Sequence, residues 1–194
     1  RKLDAAGVTV FFDSPYRRVF RDATDTFYRE IRPLRNVAIV ESFSKSMGLS
    51  GQRIGFIHTT DPGLYAELEK RTMYNGVNAF AQTLVLRLLT TPEGRRAVAD
   101  FKAATVRDIG LNIAYLKENG LLATEFYRES MPVGIFAIVD RSEKELLEHR
   151  IGSVSLDFFT RDAALAGYAS RFSRICVSVP HTKFREFFDP LVRR

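Results

Sequence analysis

Short stretches that are apolar at every position constrain the fold of this chain more than any other feature. Three of them lie in the first sixty residues, at 8–12, 37–40 and 54–57. A strand without a polar face is covered on both sides, as in the sheets of α/β proteins. The sequence therefore predicts an α/β fold for this part of the chain, with these stretches as neighbouring strands.

Cap and breaker residues place the helices that follow. Asp61-Pro62 and Thr91-Pro92 each combine an N-cap residue with a proline in the first turn, and Gly120 suits a left-handed helix end. Together with the apolar spacing they predict one helix from residue 62, one over 80–89, and one long helix that ends near residue 119. A helix of that length commonly links two lobes.

The last third of the chain has the pattern of a smaller α+β domain. Strands are predicted at 135–139, 153–158 and 174–179, the last one ending at Pro180. Ser142 and Glu145 form a capping-box pattern that predicts a short helix. An amphipathic helix is predicted over 182–192; its apolar residues are Phe184, Phe187, Phe188 and Leu191.

Composition limits the functional classes. The 194 residues are 45% hydrophobic with a net charge of +6, but the arginines are scattered and form no basic run, so nucleic-acid binding is not indicated. No apolar run approaches the roughly 20 residues of a membrane span. The single cysteine, Cys176, allows no internal disulfide and favours a cytoplasmic location. The three histidines have no spacing typical of a zinc site, and no metal is predicted.

Residues 42–55 form the most informative segment. Lys45 lies among small residues, with serines at 42, 44 and 46, glycines at 48, 51 and 55, and Arg53 eight positions after it. Hydroxyls, open backbone and an arginine suit a phosphate site, and a lysine there can form a Schiff base with a carbonyl. Taken alone, the composition of the segment favours a Ser/Gly-rich surface loop with ordinary charges.

The segment resembles a known signature. Its pattern, Ser-x-Ser-Lys-x-x-Gly-Leu-x-Gly-x-Arg-x-Gly, is similar at every defining position to the pyridoxal-phosphate (PLP) lysine motif of class I/II aminotransferases, which are fold-type-I PLP enzymes. Asp13-x-x-Tyr16, 32 residues before Lys45, resembles that family's Asp-x-x-Tyr motif. The stretch 171–178 is similar to its small-domain strand with a substrate-binding arginine.

The resemblance implies the C-terminal part of the aspartate aminotransferase-like fold. Residues 1–90 would be the end of the PLP-binding large domain, 91–120 a long interdomain helix, and 121–194 a small α+β domain. It also implies PLP as cofactor, an amino acid and a 2-oxo acid as substrates, and a homodimer.

The resemblance assigns roles to individual residues. Lys45 would form the Schiff base with PLP and move the substrate's α-proton, Asp13 would pair with the pyridine nitrogen, and Tyr16 would donate to the ring's phenolate oxygen. Ser42 and Arg53 would hold the phosphate. Arg174, with Arg171 as a competitor, would bind the substrate's α-carboxylate.

The chain departs from the family pattern in two places. The family's first roughly two hundred residues, with a glycine-rich phosphate loop, have no counterpart here, so the 194 residues are expected to be a piece of a longer chain and poorly active alone. Residues 156–160 replace a Pro-Gly-Ser-x-Phe turn. Asn75 lies where relatives reach toward the partner subunit's cofactor, although a simple interhelix loop is an equal alternative.

Three functions are compatible with these residues. The first is transamination. The second is a PLP-dependent lyase or synthase, since the same side chains serve both and pocket details decide the outcome. The third is the aminotransferase-like effector domain of a transcription regulator, which would carry a basic winged-helix segment elsewhere in its chain.

Overall fold

The computed structural model of the chain describes residues 2–20, 26–72, 76–127 and 130–192. The chain divides into two compact units, Arg1–Lys102 and Ala103–Arg194. None of the helices in the described ranges combines the length and the hydropathy needed to cross a lipid bilayer.

The first unit alternates short strands with helices. In chain order its elements are α1 (Lys2–Ala5), β1 (Val10–Asp13), α2 (Arg17–Phe20), α3 (Phe27–Ile31), β2 (Val37–Ser42), α4 (Phe43–Ser46), β3 (Gly55–Thr59), α5 (Pro62–Thr72), α6 (Ala79–Thr90) and the start of α7 (Pro92–Glu118). The boundary between the two units falls inside α7.

The sheet of the first unit has β2 in its centre. Among the described residues its order is β1-β2-β3, with β1 parallel and β3 antiparallel to β2. Val37, Ala38 and Ile39 of β2 are buried. The three all-apolar stretches were predicted to be strands covered on both faces. The burial of consecutive β2 residues confirms this for β2. The prediction is wrong for β1 and β3, where Phe11 and Ile57 are 58% and 45% exposed, because in the described residues these strands are the edges of the sheet and one face of each is open.

A small apolar cluster fixes the segment after β2. Phe43 of α4 and Ile54 are buried together with Ala81 and Val85 of α6, and Met47, Leu49 and Phe56 pack against them. Each large side chain buried in this way contributes about 1.5–3 kcal/mol to folding. The turn that carries Lys45 is therefore held by apolar residues on both sides of it.

The second unit is a small α+β layer. After α7 and a short 3-10 turn follow β4 (Phe136–Val139), α8 (Glu143–Glu148), β5 (Val154–Ser155), α9 (Ala163–Ala169), β6 (Ser173–Cys176) and α10 (His181–Val192). The described strands form an antiparallel sheet of order β4-β6-β5. Its core includes Leu116, Phe172, Ile175 and Phe184, each at most 2% exposed.

The predicted helix signals are confirmed. The Asp61 carboxylate accepts hydrogen bonds from the backbone amides of Gly63 and Leu64, and the Thr91 hydroxyl accepts one from Gly94. The Ser142 hydroxyl accepts one from the amide of Glu145, whose carboxylate pairs with Arg141 instead of returning to the cap.

The prediction of a strand over 153–158 is wrong beyond Ser155. Ser155 pairs with Ser173, the first residue of β6, and the amide of Leu156 makes one more bond to Phe172. Since the partner strand begins there, residues Leu156–Phe159 turn into a 3-10 helix.

Two other strand limits differ from the prediction. Val8 donates its amide to Leu3 in the turn that ends α1, so β1 begins at Val10. At the other end, β6 stops at Cys176 rather than continuing to residue 179. There the buried side-chain amide of Asn112 donates to the carbonyls of Val177 and Val179.

Candidate functional site

Two parallel strands of the first unit end at the same edge of the sheet. Asp13, the last residue of β1, is in register with Val40 of β2, and the amide of Ser14 donates to the Val40 carbonyl at 3.0 Å. β2 then ends at Ser42, directly before the turn with Lys45. The carboxyl ends of parallel strands are where open α/β sheets bind ligands.

Lys45 lies in the single-turn helix α4. Its N-cap is Ser42, whose hydroxyl accepts a hydrogen bond from the amide of Ser44 at 3.2 Å. The Ser42 hydroxyl proton is still available to a ligand. Lys45 is partly buried, and within the described residues its amino group has no hydrogen-bond or ion-pair partner.

Two of the three motif glycines have a clear steric role. Gly48 has a φ of 68°, and a Cβ there would lie 3.0 Å from the ring of Phe101. A Cβ on Gly55 would lie 2.3 Å from the carbonyl oxygen of Glu41, a distance that no side chain tolerates. At Gly55 the close neighbour is backbone, and at Gly48 it is the Phe101 side chain. A Cβ on Gly51 would meet no described atom within 4 Å.

Arg53 has an uncommon backbone conformation. It is in the left-handed region, with a φ of 50°, just before β3. Its guanidinium donates to the carbonyl of Ser50 at 3.1 Å and is otherwise exposed, without a carboxylate partner in the described ranges. Ser42 pairs with Gly55 across the two strands, so Arg53 lies two residues from the position opposite Ser42.

Tyr16 follows Asp13 at the start of α2 and is 38% exposed. Its carbonyl accepts the amide of Val19. Asp13 itself is exposed and has no ion pair within the part of the chain that the structure describes.

A polar network next to Asp13 was not predicted. The buried carboxylate of Glu41 accepts a hydrogen bond from Tyr28 and lies 3.4 Å from Nε of Arg18, while the Tyr28 hydroxyl lies 2.8 Å from Oγ of the buried Ser14. Burial raises the pKa of Tyr28, and the bond to Glu41 raises it further, so the phenol stays protonated as a donor. The sequence signal was the single charged residue in an otherwise apolar β2 stretch.

The second unit contains both candidate carboxylate-binding arginines, and their surroundings differ. Arg171 is bidentate with Asp140, with Nε–Oδ1 and Nη2–Oδ2 distances of 2.8 and 2.5 Å, and this pair lowers the pKa of Asp140. Arg174, in the central strand β6, has no carboxylate or carbonyl partner among the described residues. Its guanidinium carbon lies 4.3 Å from the ring centroid of Phe136 and 4.6 Å from that of Phe159.

The remaining sequence-predicted residue, Asn75, lies outside the described residues.

The chemistry of this donor set fits an anionic, phosphate-bearing cofactor. Lys45 and Arg53 are cations that no described carboxylate neutralises, and the Ser42 hydroxyl has a free proton. Asp13 is a carboxylate without a cation of its own at the neighbouring strand end. One region of the first unit therefore offers a nucleophilic amine, phosphate donors and an acceptor for a protonated ring nitrogen.

Comparison with known proteins agrees with this arrangement. The family model described as "Aminotransferase class I and II", a family whose cofactor is pyridoxal 5'-phosphate, matches residues 1–189. The aromatic amino acid aminotransferase of Streptomyces coelicolor is 40% identical over 86 residues, which are 42% of this chain and 23% of that protein.

Solved structures show the same fold. The histidinol-phosphate aminotransferase from Clostridium acetobutylicum has a TM-score of 0.77 at 16% identity, covering 99% of this chain and 56% of that one. The α-aminoadipate aminotransferase from Thermus thermophilus, complexed with N-(5'-phosphopyridoxyl)-L-leucine, has a TM-score of 0.72 at 18% identity, covering 99% and 51%. The chain thus spans about half the length of these proteins and corresponds to a C-terminal part of their fold.

The family model extends over nearly the whole chain, from residue 1 to residue 189. On this evidence, the chain belongs to the class I and II aminotransferase family.

Proposed function

We propose that these residues form part of a PLP-dependent aminotransferase that moves an amino group between an amino acid and a 2-oxo acid. The observation that carries the proposal is Lys45: a partly buried lysine without an ionic partner in the described residues, in a turn fixed by apolar packing. Because the chain spans about half the length of its solved relatives, the activity is proposed for the protein that contains these residues.

PLP, when bound, supplies an electron sink for the α-carbon of the substrate. In our proposal Lys45 holds the cofactor covalently and moves the proton at that carbon. Asp13 accepts a hydrogen bond from the pyridine nitrogen and keeps it protonated, and Tyr16 donates to the phenolate oxygen. The exposed position of Asp13 and Tyr16 at the strand end supports these roles, because neither side chain is buried in the core.

The phosphate is proposed to bind Ser42 and Arg53. Ser42 pairs with Gly55, two residues after Arg53. This short separation supports binding of the same phosphate by the Ser42 hydroxyl and the exposed Arg53 guanidinium. Arg174 is proposed to bind the substrate's α-carboxylate. Its lack of a carboxylate partner in the described residues supports it over Arg171, which Asp140 already occupies.

A homodimer in the cytoplasm is the proposed state of the protein. Three large apolar side chains of α6 support self-association, since Phe80, Leu86 and Leu89 are between 44% and 69% exposed. Cys176 is an exposed free thiol, which supports a reducing compartment.

Absorption spectroscopy of the purified full-length protein with PLP tests the proposal. Binding should produce a visible band, and one class of amino acid should convert it to the spectrum of the aminated cofactor. A band that no amino acid converts would favour a lyase or a regulatory domain. A protein that gives no band at all would contradict the cofactor assignment.

Lys45→Ala tests the attachment point. After reduction with borohydride, mass spectrometry of the wild-type protein should find the cofactor on the peptide that contains Lys45, and the variant should carry none because it lacks the amine. Lys144→Ala, which changes an exposed lysine of α8, should behave like wild type. A stable adduct on the Lys45→Ala protein would overturn the assignment.

A further inference from the structure

The side chain of Arg174 is held in an aromatic environment. Arg174 is in register with Ile138 of β4 and Val154 of β5, so strands flank it on both sides. Its guanidinium carbon lies within 4.6 Å of the ring centroids of Phe136, at the start of β4, and Phe159, at the end of the 3-10 turn after β5. Contacts of this kind with an arginine are attractive and limit the orientations of its planar head group.

The hydrogen-bond donors of Arg174 have no partner among the described residues. A guanidinium interacts with aromatic rings through its faces and donates hydrogen bonds in its plane. No described carboxylate or carbonyl takes those donors, whereas the donors of Arg171, three residues earlier, are taken by Asp140. The two arginines carry the same charge, but only Arg174 has hydrogen-bond donors available to a ligand.

Exposed aromatic surface continues from this point. Phe159 is 51% exposed and Phe158 is 78% exposed, and their rings meet edge to face with centroids 5.3 Å apart. Contiguous exposed apolar surface of this kind is typical of sites that bind a ligand or a partner. A carboxylate on Arg174 would bring the substituent of its neighbouring carbon beside these rings.

We propose that Phe136 and Phe159 are positioning residues for Arg174, and that Phe158 and Phe159 make this a site for carboxylates that carry an aromatic or large apolar group. The inference rests on the proposed role of Arg174 in binding the substrate's carboxylate and adds the substrate class. Phe136 and Phe159 fix the guanidinium. The exposed rings stack with an aromatic substituent, as aromatic pairs do at centroid distances of about 4.5–7 Å.

The test is a titration of the full-length protein that contains these residues with 3-phenylpropionate and with propionate, followed by NMR through the Nε–H signal of Arg174. The wild-type protein should bind phenylpropionate about 3- to 10-fold more tightly than propionate, as expected for one aromatic contact. Phe159→Leu keeps an apolar side chain but should lose this preference and broaden or shift the Arg174 signal. Phe159→Tyr retains the ring and should keep both.

Phe187→Leu is the matched control, because Phe187 is a comparably exposed phenylalanine of α10. It should leave the preference for phenylpropionate and the Arg174 signal unchanged. An equal affinity of the wild-type protein for the two probes would overturn the inference, as would an unchanged preference in a folded Phe159→Leu protein.

The result is separable from that of the proposed function. If Arg174→Gln abolishes binding of both probes while Phe159→Leu changes nothing, the aromatic preference is wrong and the carboxylate role of Arg174 stands. If the probes behave as expected but the protein takes up no PLP, the proposed transamination fails and the aromatic carboxylate site stands.

Discussion

Arg53 combines a charged side chain with a backbone conformation that favours glycine. Among the described non-glycine residues, only Arg53 and Arg150 have a positive φ, of 50° and 60° respectively. Left-handed backbone costs a residue with a Cβ roughly 1–2 kcal/mol, and such conformations persist where the surrounding structure requires them. At Arg53 the apolar packing of Ile54, the next residue, leaves the chain little freedom to avoid it.

Arg53→Gly should therefore separate stability from ligand binding. Removing the Cβ relieves the backbone, so the free energy of unfolding should stay constant or rise by up to about 1 kcal/mol. Loss of the guanidinium should weaken PLP binding about 10- to 100-fold, because charge-assisted hydrogen bonds contribute about 1.5–3 kcal/mol. Denaturant unfolding and a fluorescence titration with PLP measure the two effects.

Arg150→Gly is the control, since it relieves the same conformation at an exposed position in the other unit. It should reproduce the stability change without the loss of PLP affinity. Equal PLP affinity in the Arg53→Gly protein would remove Arg53 from the phosphate site.

Single residues also show how far a sequence can identify a site. Lys45 could be found because its neighbours are constrained by chain geometry: Gly48 and Gly55 cannot carry a Cβ without a clash or strain. Phe159 was not predicted as a site residue. Its contact with Arg174 joins residues 15 positions apart, through a 3-10 turn in the segment 156–160 that departs from the family pattern. The role of each predicted site residue remains a prediction.

Among the elements, a buried amide of α7 bonds to the backbone that leads into α10. Asn112 of α7 is 0% exposed and donates to the carbonyls of Val177 and Val179, while its oxygen lies 2.8 Å from Nδ1 of His181. It thereby satisfies backbone that leaves β6 and positions the start of α10.

Asn112→Leu should destabilise the second unit. The variant keeps the volume but leaves buried carbonyls unsatisfied, which costs about 1–3 kcal/mol each. Urea unfolding followed by circular dichroism measures the change, with Lys117→Gln, an exposed substitution on the same helix, as the control. A variant as stable as wild type would mean that water replaces the amide.

The Asp140–Arg171 pair should make stability depend on acid pH. Arg171 lowers the pKa of Asp140 below its ordinary value, so the pair stabilises the folded state above about pH 3.9, the usual aspartate pKa. That contribution is lost as the pH falls through the lower pKa of the folded state. The melting temperature of Asp140→Asn should thus be below that of wild type at pH 7, and the two should converge in acid.

Asp157→Asn is the control for this pH series, because Asp157 is an exposed carboxylate outside any ion pair in the described residues. It should follow the wild-type protein throughout. If the Asp140→Asn difference persists at the acid end of the series, the effect comes from packing rather than from the ion pair.

Element boundaries were predictable where side chains of the element itself determine them. The caps at Asp61 and Ser142 act on amides two or three residues ahead, and both helices begin where expected. The ends of β5 and β6 depend on distant residues instead. β5 ends opposite the first residue of its partner strand, and Asn112 takes the carbonyls that a longer β6 would have used. Neither strand end can be predicted from the alternation of polar and apolar residues along the strand.

For the whole molecule, the exposed surface of α6 is where the proposed homodimer would form. Phe80 and Leu86 are 69% and 60% exposed on a helix whose Ala81 and Val85 are buried in the cluster under the Lys45 turn. A dimer contact on α6 would therefore touch the same helix that fixes the proposed active-site turn.

The division into residues 1–90, 91–120 and 121–194 remains a prediction alongside the two compact units.

Leu86→Asp should weaken the proposed homodimer. A charge at the centre of an apolar contact should raise the dimer dissociation constant about tenfold or more. Sedimentation equilibrium measures it, and Leu147→Asp, at a 68% exposed position of α8, should leave association unchanged. A protein that remains dimeric with Leu86→Asp would place the interface elsewhere.

The unpaired guanidinium of Arg174 has a consequence for how this protein meets its surroundings. Since no described side chain balances that charge, dissolved anions are its counter-ions whenever a carboxylate is absent. Ligand capture at this position is then an ion exchange, in which a carboxylate enters as a chloride or phosphate leaves. The apparent affinity of Arg174 for a carboxylate should fall as the concentration of competing anions rises, more steeply for bidentate oxyanions than for halides. The anions dissolved in the cell therefore influence carboxylate binding at this position.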